Sequence, residues 1–350
     1  MAGSVAGLPG VPAPGPMVYR PAREEDLDPC TGIWKQAVDD YQARLGQPSM
    51  PEDLAPLRRL LAHALGTDPD RFWVATRRAD GPEASGGEEE LIGFTSATVR
   101  DGLWFLAMLF VRPGLQAAGV GQALMDHAQA GRPVDPGGPA VPSPDAPFDS
   151  GIHTWGMCTD AAQPISNALY ARRGMVPRIP VWRLIGEVRR WSALPALPAS
   201  LEAVPFEAIA AGGPDGHARL AGSVNDLDRE LIGAVHPQEH GFLRQEGRAG
   251  FLVRERVGSR VHGYIYGSGG GRLGPVAALD PELHPALIGV AVRETPMLGA
   301  VAMWVPGSAD LATRALLEAG LRMDGFPGLV CWSRRDHPFE RYVPISLALV

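Results

Sequence analysis

Residues 104–130 read WFLAMLFVRPGLQAAGVGQALMDHAQA and decide the fold of the first half of the chain. The apolar run over residues 104–111 predicts a strand, and Arg-Pro-Gly at positions 112–114 ends it. Alanine and leucine then recur at near-helical spacing over residues 123–130, which predicts a helix directly after the loop. A short loop, residues 112–119, therefore joins this strand to this helix.

The loop has the composition of a phosphate-binding site. The first turn of a helix carries unpaired backbone N–H groups and the positive end of the helix dipole, so an anion binds there if no side chain blocks it. Ala117, Ala118, Gly119 and Gly121 leave that approach open, because their side chains are small or absent. The alternative is a tightly packed, alanine-rich turn that binds nothing.

Two common kinds of phosphate loop do not fit this stretch. A nucleoside-triphosphate loop needs Gly-Lys-Ser/Thr, whereas Gln122 and Ala123 follow Gly121. A dinucleotide loop needs three glycines and an acidic residue about 20 positions on. Here there are two glycines, and a proline- and glycine-rich segment, residues 131–151, follows the helix. The pattern that remains is strand, Val-x-Pro-x-x-Gln-x-x-Gly-x-Gly, helix.

This pattern resembles the coenzyme A loop of the GNAT superfamily of N-acetyltransferases. A second motif supports the resemblance: Asn167 and Tyr170 lie three residues apart ahead of Gly174-Met175, in the place of the family's Gly-Phe. The resemblance implies acetyl-CoA as co-substrate and no metal. It assigns these residues to cofactor binding: Leu109, Phe110, Val111, Gln116, Ala117, Ala118, Gly119, Val120, Gly121, Gln122 and Asn167.

By the same resemblance, Tyr170 is the general acid. Transfer from a thioester to an amine needs a proton for the departing thiolate, and a tyrosine hydroxyl can supply it. The three-residue spacing puts Asn167 and Tyr170 on one helix face, and Asn167 is expected to bond the pantetheine arm or a water. A tyrosine here could instead only pack against the sheet.

The general base stays open at this point. Residues 104–111 contain no carboxylate, although many family members have a glutamate on this strand. A water chain, or an amine that arrives neutral in a dry pocket, would also suffice. The candidates by position are Glu24, Glu25, Asp26, His153 and Asp160.

The order of elements predicts two tandem GNAT-like α/β domains, each a mostly antiparallel twisted sheet flanked by helices. A length of 350 residues suits two domains. The predicted parts are a disordered leader (1–16), a first repeat (17–190, with an insertion at 131–151), a linker (191–205) and a second repeat that begins near 198 and ends at 350.

The second repeat keeps the order of elements but not the loop. Pro281 occupies the place of Gln116, and proline has no N–H to donate. Asp280 and Glu282 would repel a phosphate, so this repeat is predicted not to hold coenzyme A. Gly267-Ser-Gly-Gly-Gly271 joins two strands and is predicted to be a hairpin turn.

Composition sets the remaining expectations. The net charge of −7 argues against nucleic acid as a partner, and no apolar run is long enough to cross a membrane. Three scattered cysteines suggest neither disulfides nor zinc. We therefore expect a cytoplasmic N-acetyltransferase, monomeric with a pseudo-dimer of repeats or homodimeric, that acts on a small-molecule or peptide amine. A non-catalytic acyl-CoA-binding or scaffold protein is the alternative.

Overall fold

The computed structural model describes residues 17–78, 89–116, 118–131 and 151–349. The predicted leader, Ala117 and nearly all of the predicted insertion lie outside these ranges. The described residues form two compact units. One contains the described residues up to Ser96 and those from Met108 to 131, and the other contains residues 97–107 and those from 151 onward.

The described residues contain fourteen strands and nine α-helices. The strands are β1 (Met17–Pro21), β2 (Phe72–Arg78), β3 (Glu89–Arg100), β4 (Leu103–Val111), β5 (Thr154–Asp160), β6 (Val176–Gly186), β7 (Leu201–Pro205), β8 (Ala249–Glu255), β9 (Val261–Gly267), β10 (Leu273–Ala278), β11 (Val301–Pro306), β12 (Arg322–Met323), β13 (Gly328–Trp332) and β14 (Tyr342–Val343). The α-helices are α1 (Leu27–Arg44), α2 (Ala55–Thr67), α3 (Val120–Ala130), α4 (Pro164–Ala171), α5 (Phe206–Ala210), α6 (Gly213–Leu231), α7 (Pro237–Gln245), α8 (His284–Glu294) and α9 (Asp310–Ala319).

In the first unit, helix α3 packs on strand β2, which lies between β1 and β3. Both of those neighbours are antiparallel to β2. The buried Trp73 ring stacks on His127 with 4.6 Å between ring centroids. The Arg71 guanidinium donates to the Ala128 carbonyl at 3.0 Å, which satisfies a carbonyl of the last helical turn. These contacts fix the helix that follows the glycine loop.

In the second unit, strands of the two repeats are interleaved. Strand β13, from the second repeat, lies antiparallel between β5 and β6 of the first. Strand β6 in turn pairs with β11 of the second repeat. Gly156 on β5 is required here, because an added Cβ would lie 2.2 Å from the Trp332 ring. Strands β11 and β13 of the second repeat therefore belong to the same sheet as β5 and β6 of the first.

The same unit contains a second sheet, in the order β14-β10-β9-β8-β7, with antiparallel pairing throughout. Helix α8 packs against β9 and β10, and its residues Leu287 and Ile288 are fully buried. The Gly267–Gly271 stretch makes the predicted hairpin turn between β9 and β10, with Ser268 N–H donating to the Arg272 carbonyl at 3.0 Å.

The predicted fold class is confirmed: mostly antiparallel mixed sheets flanked by helices. Strands β4 and β5 pair in parallel, from Leu103↔Thr154 to Leu106↔Met157. The main differences lie in residues 191–245. The predicted linker ends in strand β7, and the polar stretch after α6 forms the additional helix α7.

Candidate functional site

Helix α3 begins at an open N-terminus. Its N-cap residue, Gly119, has a φ of +82° and makes no side-chain capping bond. A Cβ at Gly119 would meet nothing within 4 Å, and one at Gly121 would meet only the Val111 and Leu109 side chains at 3.7 and 4.0 Å. The N–H groups of this first turn have no intrahelical partner. An anion can therefore bind at these N–H groups.

Gln116 ties the loop to the end of strand β4. Its side-chain amide donates to the Val111 carbonyl at 3.3 Å. The preceding turn is closed by Leu115 N–H, which donates to the Arg112 carbonyl at 3.1 Å. Of the other predicted loop residues, Ala118 and Gln122 are exposed and Val120 is buried, whereas Ala117 lies outside the described residues. Gln116 thus has a structural partner in the absence of any ligand.

Strand β4 extends beyond its pairing with β5. The described register with β5 ends at Leu106, and β4 continues to Val111. Leu109 and Phe110 are half-buried, and the Phe110 ring contacts Phe94 with 5.7 Å between centroids. The Phe110 ring therefore packs within the unit, while the backbone of β4 beyond Leu106 has no described pairing with β5.

Helix α4 carries the second motif. Asn167 Nδ2 donates to the Asp160 carbonyl at 3.2 Å, while its Oδ1 is buried with no hydrogen-bond partner among the described residues. An orphaned acceptor of this kind costs about 1–3 kcal/mol unless a ligand or water pairs with it. One hydrogen bond from Nδ2 therefore fixes the Asn167 side chain, and its Oδ1 can accept a second hydrogen bond.

Tyr170 is 3% exposed and lies on the buried side of α4. Burial, with a smaller contribution from nearby Cys331, raises the pKa of its hydroxyl, and a hydrogen bond with Ser166 partly opposes the rise. The hydroxyl thus stays protonated at neutral pH and can donate a hydrogen bond. Sequence reasoning missed Ser166, although its position four residues before Tyr170 puts the two on one helix face.

The candidate bases all have partners. Asp26 is 4% exposed and its carboxylate accepts from Arg20 at 2.7 and 2.9 Å, and from the backbone N–H of Arg23. The exposed Glu24 and Glu25 form ion pairs with Arg58 and Arg23. The three acids therefore stabilise the start of helix α1 rather than presenting a free carboxylate.

The other two candidates are also engaged. His153 Nδ1 lies 3.0 Å from Thr154 Oγ1, and the ring is exposed. The Asp160 carboxylate accepts from the Ala162 N–H at 2.9 Å. The geometry assigns no base among the five.

The second repeat has a closed N-terminus where the first has an open one. Asp280 Oδ1 accepts from the Glu282 N–H at 2.9 Å, which caps a 3-10 turn ahead of α8. His284 and Ala286, in the places of Gly119 and Gly121, are buried. Thr313 and Leu316, in the places of Asn167 and Tyr170, bond a backbone carbonyl and pack in the core.

No group of His, Cys, Asp or Glu side chains within the described residues could hold a metal ion. Among the helices the structure describes, none has the length and hydropathy to span a membrane.

The local feature of this site is a strand that runs through a glycine loop into a helix without a side-chain cap. Residues 33–130, less than a third of the chain, match the model of the acetyltransferase (GNAT) family. That match includes the glycine loop and ends with helix α3. The chemistry of this family is acyl transfer.

Solved structures share the fold over nearly the whole chain. A Pyrococcus horikoshii protein assigned as an acetyltransferase is 13% identical, with a TM-score of 0.65 and coverage of 99% of this chain and 100% of that one. A GCN5-related N-acetyltransferase from Sphaerobacter thermophilus is 15% identical, with a TM-score of 0.54 and coverage of 95% and 98%. No curated protein matches. At these identities the similarity establishes the fold alone.

Proposed function

We propose that the first repeat transfers an acetyl group from acetyl-CoA to an amine on a small molecule or peptide. The observation that carries the proposal is the open N-terminus of α3 at Gly119 and Gly121. A coenzyme A diphosphate suits unpaired N–H groups at the positive end of a helix. The glycines let its oxygens approach the backbone.

The part of strand β4 beyond Leu106 would hold the pantetheine arm. Its amides can pair with the backbone of Leu109, Phe110 and Val111 as an added strand would. This role depends on the backbone, so the packing of the Phe110 ring does not compete with it. The buried Oδ1 of Asn167 is an acceptor suited to a pantetheine N–H or to an ordered water.

In the reaction, the amine nitrogen attacks the thioester carbonyl and the carbon–sulfur bond breaks. Tyr170 is assigned as the group that stabilises and protonates the departing thiolate, on the resemblance of α4 to the family motif. Its hydroxyl is held protonated by burial, which suits a donor. The amine must reach the carbonyl with its lone pair free, and we assign no base to it.

One observation favours a second candidate function, a non-catalytic acyl-CoA-binding protein. Strand β4 has no carboxylate, and each of the five candidate bases already has a partner. Such a protein would bind acetyl-CoA at α3 without turning it over. The cytoplasmic location and the oligomeric state stay predictions under either candidate.

Release of free thiol from acetyl-CoA, measured with a panel of small amines and peptides, tests the proposal. The enzyme should release thiol in step with amine acetylation. The Gly121→Glu variant should release none, whereas Gly222→Glu should match the parent, since it adds the same side chain on an exposed face of α6 with nothing within 4 Å. Acetyl-CoA binding without thiol release for any amine would support the non-catalytic alternative.

A further inference from the structure

Two arginines of the second repeat flank the end of strand β9. Gly267, the last residue of β9, pairs with Ala249 of β8 on one side and with Leu273 of β10 on the other. Arg248 directly precedes Ala249, and Arg272 directly precedes Leu273. Because side chains alternate between the faces of a sheet, both arginines lie on the face opposite to the buried Leu273.

Hydrogen bonds hold the backbone at both arginines. Ser268 N–H donates to the Arg272 carbonyl at 3.0 Å, and Arg272 N–H donates to Ser268 Oγ at 3.0 Å. Arg248 follows helix α7, and its N–H donates to the Leu243 carbonyl at 3.1 Å. The two side chains therefore start from fixed positions at one end of the sheet.

Two nitrogens of the Arg248 guanidinium have no partner. Its Nε and Nη1 atoms are buried and make no hydrogen bond to any described residue. Arg248 as a whole is half-buried, so another part of the side chain reaches solvent. Buried cations in proteins are normally paired with an acid or bonded to carbonyl groups. The protein itself therefore does not neutralise this guanidinium.

The neighbouring charges mainly repel Arg248. Burial and then the charge of Arg272 lower the pKa of Arg248 to about 10, and a smaller effect of Glu246 opposes them. The guanidinium is therefore still charged at neutral pH. Arg272 is exposed, yet the protein atoms around it and then the charge of Arg183, which is paired with Asp324, lower its pKa. Arg248 and Arg272 thus place two positive charges on one face of the sheet.

We propose that Arg248 and Arg272 together bind a phosphate group, either inorganic phosphate or the phosphate of a small monoester. A phosphate dianion matches two positive charges and accepts hydrogen bonds from planar guanidinium groups. A carboxylate brings only one negative charge and would leave one arginine unneutralised. The ligand would approach from the exposed Arg272 and the accessible part of Arg248.

This site is separate from both loops compared above. It lies at the start of β10, whereas helix α8 follows the other end of that strand. It is therefore not a degenerate copy of the glycine loop before α3, and the inference does not depend on acetyl transfer.

Three anions test the chemistry on the full-length protein: inorganic phosphate, methyl phosphate and acetate. Arginine Nε–H resonances are followed by NMR at constant ionic strength and slightly alkaline pH, where a phosphate monoester is doubly charged. The Nε–H of Arg248 is buried and thus shielded from exchange with water, which makes it a suitable reporter. Both phosphates should shift the Arg248 and Arg272 resonances saturably and bind at least about tenfold more tightly than acetate.

Variants assign the effect to the two side chains. Arg248→Gln and Arg272→Gln should each weaken phosphate binding at least about tenfold, because one of the two guanidiniums is lost. Arg229→Gln is the matched control, since it removes one positive charge from an exposed position on α6, and it should leave the affinity unchanged. Calorimetry in the Gly121→Glu background measures these affinities without a contribution from the loop before α3. Circular dichroism checks that each variant folds.

The ranking of the three anions on the parent protein decides the matter without a variant. Acetate that binds as tightly as phosphate would mean that any anion gathers at this positive surface, which overturns the proposal. No saturable shift at either arginine would overturn it too, as would an equal loss of affinity in Arg229→Gln. Binding of inorganic phosphate without methyl phosphate would support the site and identify the free anion as its ligand.

Discussion

The corresponding helices of the two repeats, α3 and α8, begin in different ways. In the first, Gly119 begins α3 with a left-handed backbone and no side-chain cap. In the second, the Asp280 carboxylate occupies the first-turn N–H that a phosphate would use. Small sequence changes in this loop therefore decide whether the first-turn N–H groups stay free for an anion or are capped by a side chain of the protein.

The second repeat has polar chemistry elsewhere. Its buried charge lies at Asp228, beside α7 and β9, and not at the start of α8. The corresponding helix start is instead packed into the core, with His284 fully buried. The second repeat thus lacks the open helix start of the first and contains a buried carboxylate at a different place.

The largest expected effect comes from Gly121→Glu. A side chain there meets only ordinary contacts with Val111 and Leu109, and an acid suits a first helical turn, so folding should be unaffected. Its bulk and charge occupy the phosphate position, so coenzyme A binding should be lost. Calorimetry on this variant and on Gly222→Glu measures both; unchanged affinity in a folded Gly121→Glu protein would place the site elsewhere.

Tyr170→Phe should lower the turnover number about 10²–10⁴-fold while acetyl-CoA affinity stays nearly constant. The reason is that the lost hydroxyl acts only as the thiolate departs. Leu316→Met, a conservative change at the equivalent place in the second repeat, is the matched control and should have little effect. A loss below tenfold in both steady-state and single-turnover rates would exclude Tyr170 as the acid.

The pH dependence of Tyr170 has a definite sign. Burial raises its pKa in the folded protein above the ordinary value of about 10. Its contribution to stability is therefore fully present below pH 10 and is lost as the pH rises beyond that value. The free energy of unfolding, measured by denaturant titration, should therefore vary with pH in the same way for the parent and Tyr170→Phe below pH 10. Above pH 10 it should fall more steeply for the parent.

The buried ion pair between Arg100 and Glu239 should contribute more to stability than an exposed ion pair does. Glu239→Gln leaves the Arg100 charge buried without its partner, so the free energy of unfolding should fall by about 3–5 kcal/mol. Glu25→Gln removes an exposed pair with Arg23 and should cost less than about 1 kcal/mol. Equal effects of the two changes would show that Arg100 finds water or another acceptor.

The smallest expected effect is that of Asp280→Ala. Loss of this cap should cost about 0.5–2 kcal/mol, and coenzyme A should still not bind there, because Pro281 lacks an N–H and His284 and Ala286 are packed. Thermal unfolding and calorimetry report the two quantities. A gain of binding in this variant would mean that the capping carboxylate alone had closed the second loop.

Local patterns predicted the elements that hold the first site. The strand, the glycine loop and helix α3 follow from the apolar periodicity of residues 104–130. These features depend on neighbours in sequence. Local reasoning is therefore sufficient for them.

Long-range pairing was not predictable in the same way. The insertion of β13 between β5 and β6 joins residues more than 140 positions apart, and either strand pattern would suit another partner. Asp228 and His240 occupy positions that the sequence shows only as polar helix residues, and both are buried where they contact Tyr264 and Tyr266 of a distant strand. Their burial is set by packing, which a single sequence does not display.

The stoichiometry of coenzyme A binding tests the contrast between the repeats most directly. Isothermal titration of the full-length protein with acetyl-CoA should give one site per chain. Gly121→Glu should abolish that site, and Asp280→Ala should leave it at one. Two equivalent sites per chain, or a single site that survives Gly121→Glu, would contradict the assignment of cofactor binding to the first repeat alone.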